Sequence, residues 1–94
     1  MEKKRQVIVI DENDNVATAI QGLKTGCIAE TESGGITLCS DIPLGHKFAL
    51  RDISKGEYVI KYGVQVGRAI ASIPKGGHAH VHNVEDIVDE IRKE

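Results

Sequence analysis

The sequence predicts a mostly β, hairpin-rich fold with a short N-terminal helix and a C-terminal helix. Short β-branched and aliphatic runs alternate with glycine-centred turns through most of the chain. One five-residue turn pattern recurs three times, each time ahead of a strand-like run, and the apolar period is helical in residues 16–23 and again in residues 84–94.

The elements follow in order. Residues 6–10 (QVIVI) are a β-branched run suited to a first strand. The turn formers of residues 11–15 (DENDN) end it and offer Asp14 or Asn15 as a helix N-cap. In VATAIQGL, Val16, Ala19, Ile20 and Leu23 recur at helical spacing, which predicts a short helix ending near Gly22 or Gly26. Residues 27–32 and 36–40 flank a Ser-Gly-Gly turn and read as a hairpin.

Residues 41–45 (DIPLG), 52–56 (DISKG) and 72–76 (SIPKG) share an Asp or Ser, an Ile, a Pro or Ser, any residue, then Gly. Asp or Ser can bond turn backbone, Ile can anchor the turn in a core, and Gly can take a positive φ. The copies are too irregularly spaced for a solenoid and suit a compact fold whose strands bend at glycines. In VEDIVDEIRKE, Val84, Ile87, Val88 and Ile91 lie on one helical face, with Asn83 as N-cap and basic residues at the end. This divides the chain into a domain over residues 1–83 and a capping helix over 84–94.

Composition excludes several classes of function. The 94 residues amount to one domain, with two Tyr, one Phe and no Trp, so base stacking on aromatics is not expected. A net charge of -2 with mixed signs gathers neither nucleic acid nor anionic lipid. No apolar run approaches the roughly 20 residues of a membrane span, and a signal-peptide core is missing, so a soluble cytoplasmic protein is expected. Cys27 and Cys39 fall outside metal or redox spacing and read as small hydrophobes on β segments.

All four histidines follow glycine-led turns: His46 in GHKFAL, and His78, His80 and His82 in GHAHVHN. On an extended strand the last three would share one face at intervals of roughly 6.6 Å. Two imidazoles so placed can converge on a divalent metal at about 2.1 Å from each nitrogen, or act as acid and base near pH ~6.5. Alternatively Ala79 and Val81 face the core and the imidazoles face water. His46 favours a shared site, since two Gly-His turns can lie at one end of the fold. Lys61 and Tyr62, beside a tight turn, can hold a carboxylate or oxyanion, as can Lys47; each can equally be ordinary surface. Neither a nucleophile motif nor a phosphate cradle is present.

DNVATAIQGL followed by IPLGHKFALRDISKGEYVIKYGVQVGRAIASIPKGGHAHVHN resembles the N-terminal SAF-type (β-clip) domain of the altronate and galactarate dehydratase family. The likeness covers about residues 14–83, and GHKFAL, IKYG and HxHxHN in that order make it specific. It implies a β-clip fold and a β-elimination from a 2-hydroxy carboxylate, with water leaving in sugar-acid dehydration and sulfite in the sulfolactate case.

The resemblance makes His46, His80 and His82 candidates for metal ligation or proton transfer and Lys61 and Asn83 for substrate contact; the strand spacing adds His78 to His80 and His82 as a metal ligand, and the residues themselves add Tyr62 and Lys47 to the substrate contacts. It implies a divalent metal ion, Fe2+ or Mn2+, held in part by a larger catalytic subunit, because family enzymes join this domain to a much larger one. The chain is then expected to be the separate small subunit of a split enzyme, acting on a small hydroxy acid. Two other classes remain: a non-catalytic carboxylate-binding module, and a domain that assembles a homo-oligomer.

Overall fold

A computed structural model describes residues 7–8, 13–31 and 34–87. Nine short strands run in chain order: β1 (Val7–Ile8), β2 (Val16–Ala19), β3 (Ile28–Thr31), β4 (Gly34–Thr37), β5 (Lys47–Ala49), β6 (Tyr58–Lys61), β7 (Val64–Ala69), β8 (His78–Ala79) and β9 (Val84–Glu85). They form three antiparallel sheets, ordered β1-β2-β5-β8, β3-β4 and β6-β7-β9. The mostly β expectation is met, and no helix occurs among the described residues.

The recurrent turn is the organising unit, and it occurs four times rather than three. Residues 22–26 (GLKTG) form the same turn as residues 41–45, 52–56 and 72–76. Each closes through a hydrogen bond from the residue after the last glycine to the carbonyl three residues back: Cys27 to Lys24, His46 to Pro43, Glu57 to Ser54 and Gly77 to Pro74, at 3.0, 3.0, 2.9 and 2.7 Å. The glycines sit at φ of +86°, +83°, +93° and +83°, which an i+2 position of a type II turn requires and other residues resist.

The turns dock in pairs. Leu23 and Ile42 exchange both backbone hydrogen bonds at 2.8 Å, and so do Ile53 and Ile73. An aspartate then crosses from one turn to the other: Asp41 Oδ1 accepts the Thr25 N–H at 2.9 Å, and Asp52 Oδ1 accepts the Lys75 N–H at 2.8 Å. The acid of the pattern therefore braces its partner turn. The anchors are buried in separate cores, Leu23 and Ile42 with Leu38 and Phe48, Ile53 and Ile73 with Val16, Val59 and Ala69.

The β1-β2-β5-β8 sheet lies between these two cores. Ala17, Ala19 and Phe48 belong to the first, while Val16, Ala49 and Ala79 belong to the second. This explains why residues 16–23 do not form the expected helix. A strand covered on both faces is apolar at consecutive positions, so its pattern mimics helical spacing. Val16 to Ala19 are the strand, and Leu23 is a turn anchor.

Asp14 and Asn15 do not cap a helix either. Buried Asn15 imitates a strand neighbour of β6: its Nδ2 donates to the Tyr58 carbonyl at 2.9 Å and its Oδ1 accepts the Ile60 N–H at 2.7 Å, beside the register shift between Val59 and Ile60. Asp14 Oδ1 accepts the Gly63 N–H at 2.8 Å. Tyr62 and Gly63 turn the β6-β7 hairpin with φ of +58° and +74°, the type I′ pattern of a two-residue hairpin.

The C-terminal helix is not found where it was expected to start. Val84 and Glu85 pair with Ala69 and Arg68 of β7, at a place where a Cβ on Gly67 would meet Val84 Cγ1 at 2.5 Å. Residues 88–94, the rest of that expected helix, lie outside the described residues, as do residues 6, 9 and 10 of the expected first strand. The expected hairpin is β3-β4. Cys27 and Cys39 are exposed free thiols flanking it, a correction to their reading as packed hydrophobes, because the turn backbone carries them outside the cores. Among the described residues no helix is long and apolar enough to cross a membrane.

The turns differ in what surrounds their glycines. A Cβ at Gly45 meets nothing within 4 Å, whereas one at Gly76 would run into the Thr37 carbonyl oxygen. Gly45→Ala should therefore cost about 1–2 kcal/mol, from the left-handed conformation alone. Gly76→Ala should cost that plus about 1–3 kcal/mol of overpacking, read as denaturant midpoints of the two variants.

Candidate functional site

The paired strands β5 and β8 carry the site. Their register, Lys47 opposite Ala79 and Phe48 opposite His78, sets His46 abreast of His80. His46 is fixed on both sides of its peptide, donating to Pro43 O at 3.0 Å and accepting from Ala19 N at 2.9 Å. Gly77 lets the chain enter β8, since a Cβ there would meet Pro74 O at 2.8 Å.

Three rings then stack. The His46 and His80 centroids are 4.0 Å apart, His46 and His78 5.1 Å, and His78 and His80 5.4 Å. His46 Nδ1 lies 2.8 Å from His78 Nε2, so one of the two carries the shared proton. One ligand nitrogen from each of His46, His78 and His80 falls within 4.8 Å of the others.

The expected row of His78, His80 and His82 on one strand face does not form, because β8 ends at Ala79 and the chain turns. The His80 carbonyl accepts the N–H groups of Asn83 and Val84 at 3.0 and 2.9 Å. Asn83 closes that turn with its side chain, accepting the His80 N–H at 2.9 Å and donating to the His78 carbonyl at 2.7 Å. Its amide is thereby used in shaping the site. His82 is exposed, with its ring tilted 38° to His78 at 5.3 Å, and stands outside the convergent trio.

A groove of about 300 Å³ adjoins the cluster through His80. Buried Val59 and Ala79, half-buried Val84, Lys47 and His80, and exposed Glu85 and Asp86 line it. Burial, then the charge of Lys61, pulls the Lys47 ammonium below its usual value. Lys61 and Tyr62 form the hairpin end, with Lys61 Nζ 4.7 Å from the Tyr62 ring centroid and Tyr62 51% exposed. Glu85 and Asp86 escape a sequence reading because a presumed helix hides them. The parallel between Gly45-His46 and Gly77-His78 is the signal that ties His46 to the trio.

Burial and neighbouring charge disfavour the cationic form of two of the rings. His78 and His80 titrate below the ordinary value of 6.5, first because burial disfavours the cation and then because His46, His82 and Lys47 surround them. A depressed histidine pKa means that the unfolded chain binds more protons below about pH 6.5, so stability is full above that value and falls as the pH drops. Asp41 and Glu57, held low chiefly by backbone N–H bonds from Thr25 and Ser54, keep their contributions above the ordinary values of 3.8 and 4.5 and lose them only as the pH falls below those values. In chelator-treated buffer the melting temperature should fall between pH 7.5 and 5.5, and His78→Gln should flatten that fall. An identical slope in the variant would contradict this account.

Comparison with known proteins places this geometry in a family. The altronate/galactarate dehydratase SAF domain matches over residues 5–87. The altronate dehydratase of Escherichia coli (strain K12) is 43% identical over 86 residues, covering 92% of this chain and 17% of its own length. The (2R)-sulfolactate sulfo-lyase subunit alpha of Chromohalobacter salexigens is 57% identical over 44 residues, 47% of either chain. The subunit alpha of Paracoccus pantotrophus is 37% identical over 59 residues, covering 61% of this chain and 88% of its own. The chain thus spans about a sixth of the dehydratase and about half of the first sulfo-lyase subunit. With its paired glycine turns and its histidines gathered at the end of the central sheet, this chain belongs to the altronate/galactarate dehydratase SAF-domain family, whose relatives are dehydratases and lyases.

Proposed function

We propose that this chain is the small component of a two-part carbon-oxygen lyase that eliminates water from a 2,3-dihydroxy carboxylate, with a larger subunit supplying the rest of the site. The observation that carries this reading is the position of His80, shared between a tight histidine cluster and a groove that also presents Lys47.

The chemistry follows from those groups. An elimination next to a carboxylate breaks the C2–H bond, forms the C2–C3 double bond and expels hydroxide from C3, which leaves as water once protonated. His80 is suited to accept the C2 proton, being depressed in pKa and therefore free to act as a base at neutral pH. Lys47 is suited to hold the carboxylate, where negative charge grows as the proton departs. The Lys61 end of the hairpin adds a second cation near it. An open groove on so small a domain needs a second protein wall to exclude water.

A second reading has its own support: the likeness to the sulfo-lyase subunit alpha of Paracoccus pantotrophus spans 88% of that subunit. In that case the same base and cation would expel sulfite instead of water.

Reconstitution with the large subunit, assayed on altronate, galactarate and sulfolactate, tests both readings. The pair should turn over one of the three, and the isolated chain none. His80→Ala should lower kcat by about 10²–10⁴-fold with little change in KM, the range expected for a lost general base, whereas Lys47→Ala should chiefly raise KM. Full turnover by the isolated chain would refute the two-part reading. Retained ligand binding without turnover in the pair would favour a binding module, and self-association without ligand binding would favour an assembly domain.

A further inference from the structure

The geometry points to a self-contained transition-metal site in this chain, formed by one nitrogen each of His46, His78 and His80. It is separate from the lyase reading, since it requires neither a substrate nor a second subunit, and because a neutral imidazole has a single free lone pair, His80 acts as a base only in the metal-free chain.

The donor spacing fits an ion. With nitrogen–metal bonds of about 2.1 Å, neighbouring ligand nitrogens lie about 3.0 Å apart in an octahedral site and about 3.4 Å apart in a tetrahedral one. His46 Nδ1 and His78 Nε2 are already at 2.8 Å, and the nitrogens of all three residues fall within 4.8 Å of each other. An ion entering there replaces the proton shared by His46 and His78, and the rings, stacked at interplanar angles of 18°, 12° and 9°, rotate to aim their lone pairs at one point.

The scaffold holds the donors in advance. His46 and His80 are set by the β5-β8 register, and Asn83 locks the turn that carries His80. Lys47 opposes an ion, while Glu85 and Asp86 line the same adjoining groove.

The donor set also discriminates among ions. Three imidazoles and no carboxylate suit Zn2+, Co2+, Ni2+ or Fe2+, and disfavour Mn2+ and Mg2+, which prefer oxygen. Three protein ligands leave at least one coordination position open, where a bound ion would supply Lewis-acid charge stabilisation.

Titration of the chelator-treated full chain with Co2+, followed by visible absorption and by bound metal per chain, tests the site. The expected result is one ion per chain with the spectrum of a nitrogen-ligated site, displaced by Zn2+ and not by equimolar Mn2+. His46→Ala should weaken binding by at least about 100-fold, at or beyond the loss caused by removing a supporting residue, whereas His82→Ala should leave it unchanged. Melting curves show whether each variant is folded; should His46→Ala fail to fold, His46→Gln replaces it. Unchanged Co2+ affinity in a folded His46 variant, loss in His82→Ala, or no stoichiometric ion in the natural chain would each overturn the proposal. None of these readouts involves turnover, so their failure leaves the lyase reading standing.

Discussion

A reciprocal pair of backbone hydrogen bonds, made between a glycine turn and a neighbouring strand, holds this domain together. The last glycine of each turn donates to a strand carbonyl, and the strand residue donates back to the residue after that glycine. Gly26 and Cys27 make this exchange with Leu38, Gly45 and His46 with Ala19, Gly56 and Glu57 with Ala69, and Gly76 and Gly77 with Ala49, at 2.8–2.9 Å throughout. One such bond contributes only about 1 kcal/mol net, but a buried partner left unsatisfied costs about 1–3 kcal/mol. The arrangement therefore tolerates little change in the turn conformation, and that conformation needs glycine.

The exchanges also set the architecture. Two turn–hairpin–turn–strand units follow one another, the first with the β3-β4 hairpin and β5, the second with the β6-β7 hairpin and β8. Each unit closes by bridging its own two turns and packs their aliphatic anchors into its own core. Because β5 and β8 are the closing strands of the two units and pair with each other, residues just after equivalent turns meet at one sheet end. That is where three of the four histidines lie. A site on such turns is as rigid as the hydrogen bonds beneath it, which favours convergent imidazoles over a set on mobile loops.

Much of this was legible in the residues. The Ile-x-x-Gly echo exposed three of the turns, and the Ser-Gly-Gly break exposed the first hairpin. The fourth turn escaped because Leu replaces Ile and Gly22 replaces the acid, so only the spacing from anchor to glycine remained. The supposed helix over residues 16–23 failed for a different reason: a strand between two cores loses the alternation that identifies strands. Asn83 suits a helix N-cap as well as it suits the turn it actually closes, and a local pattern cannot separate those uses. In the site, alternation of His78, His80 and His82 suggested a straight strand, while the pairing that brings in His46 is a long-range register that no local spacing encodes.

The central claim is that the pairing of β5 with β8 delivers His46 to the side of His80. Nuclear Overhauser spectroscopy of the histidine ring protons, on the metal-free chain near pH 7.5, measures this directly. Centroids 4.0 Å apart predict a strong cross-peak between His46 and His80, lost when either is replaced. Resolved ring signals with no contact between these two residues, beside intact contacts from His78 to His82, would contradict the account.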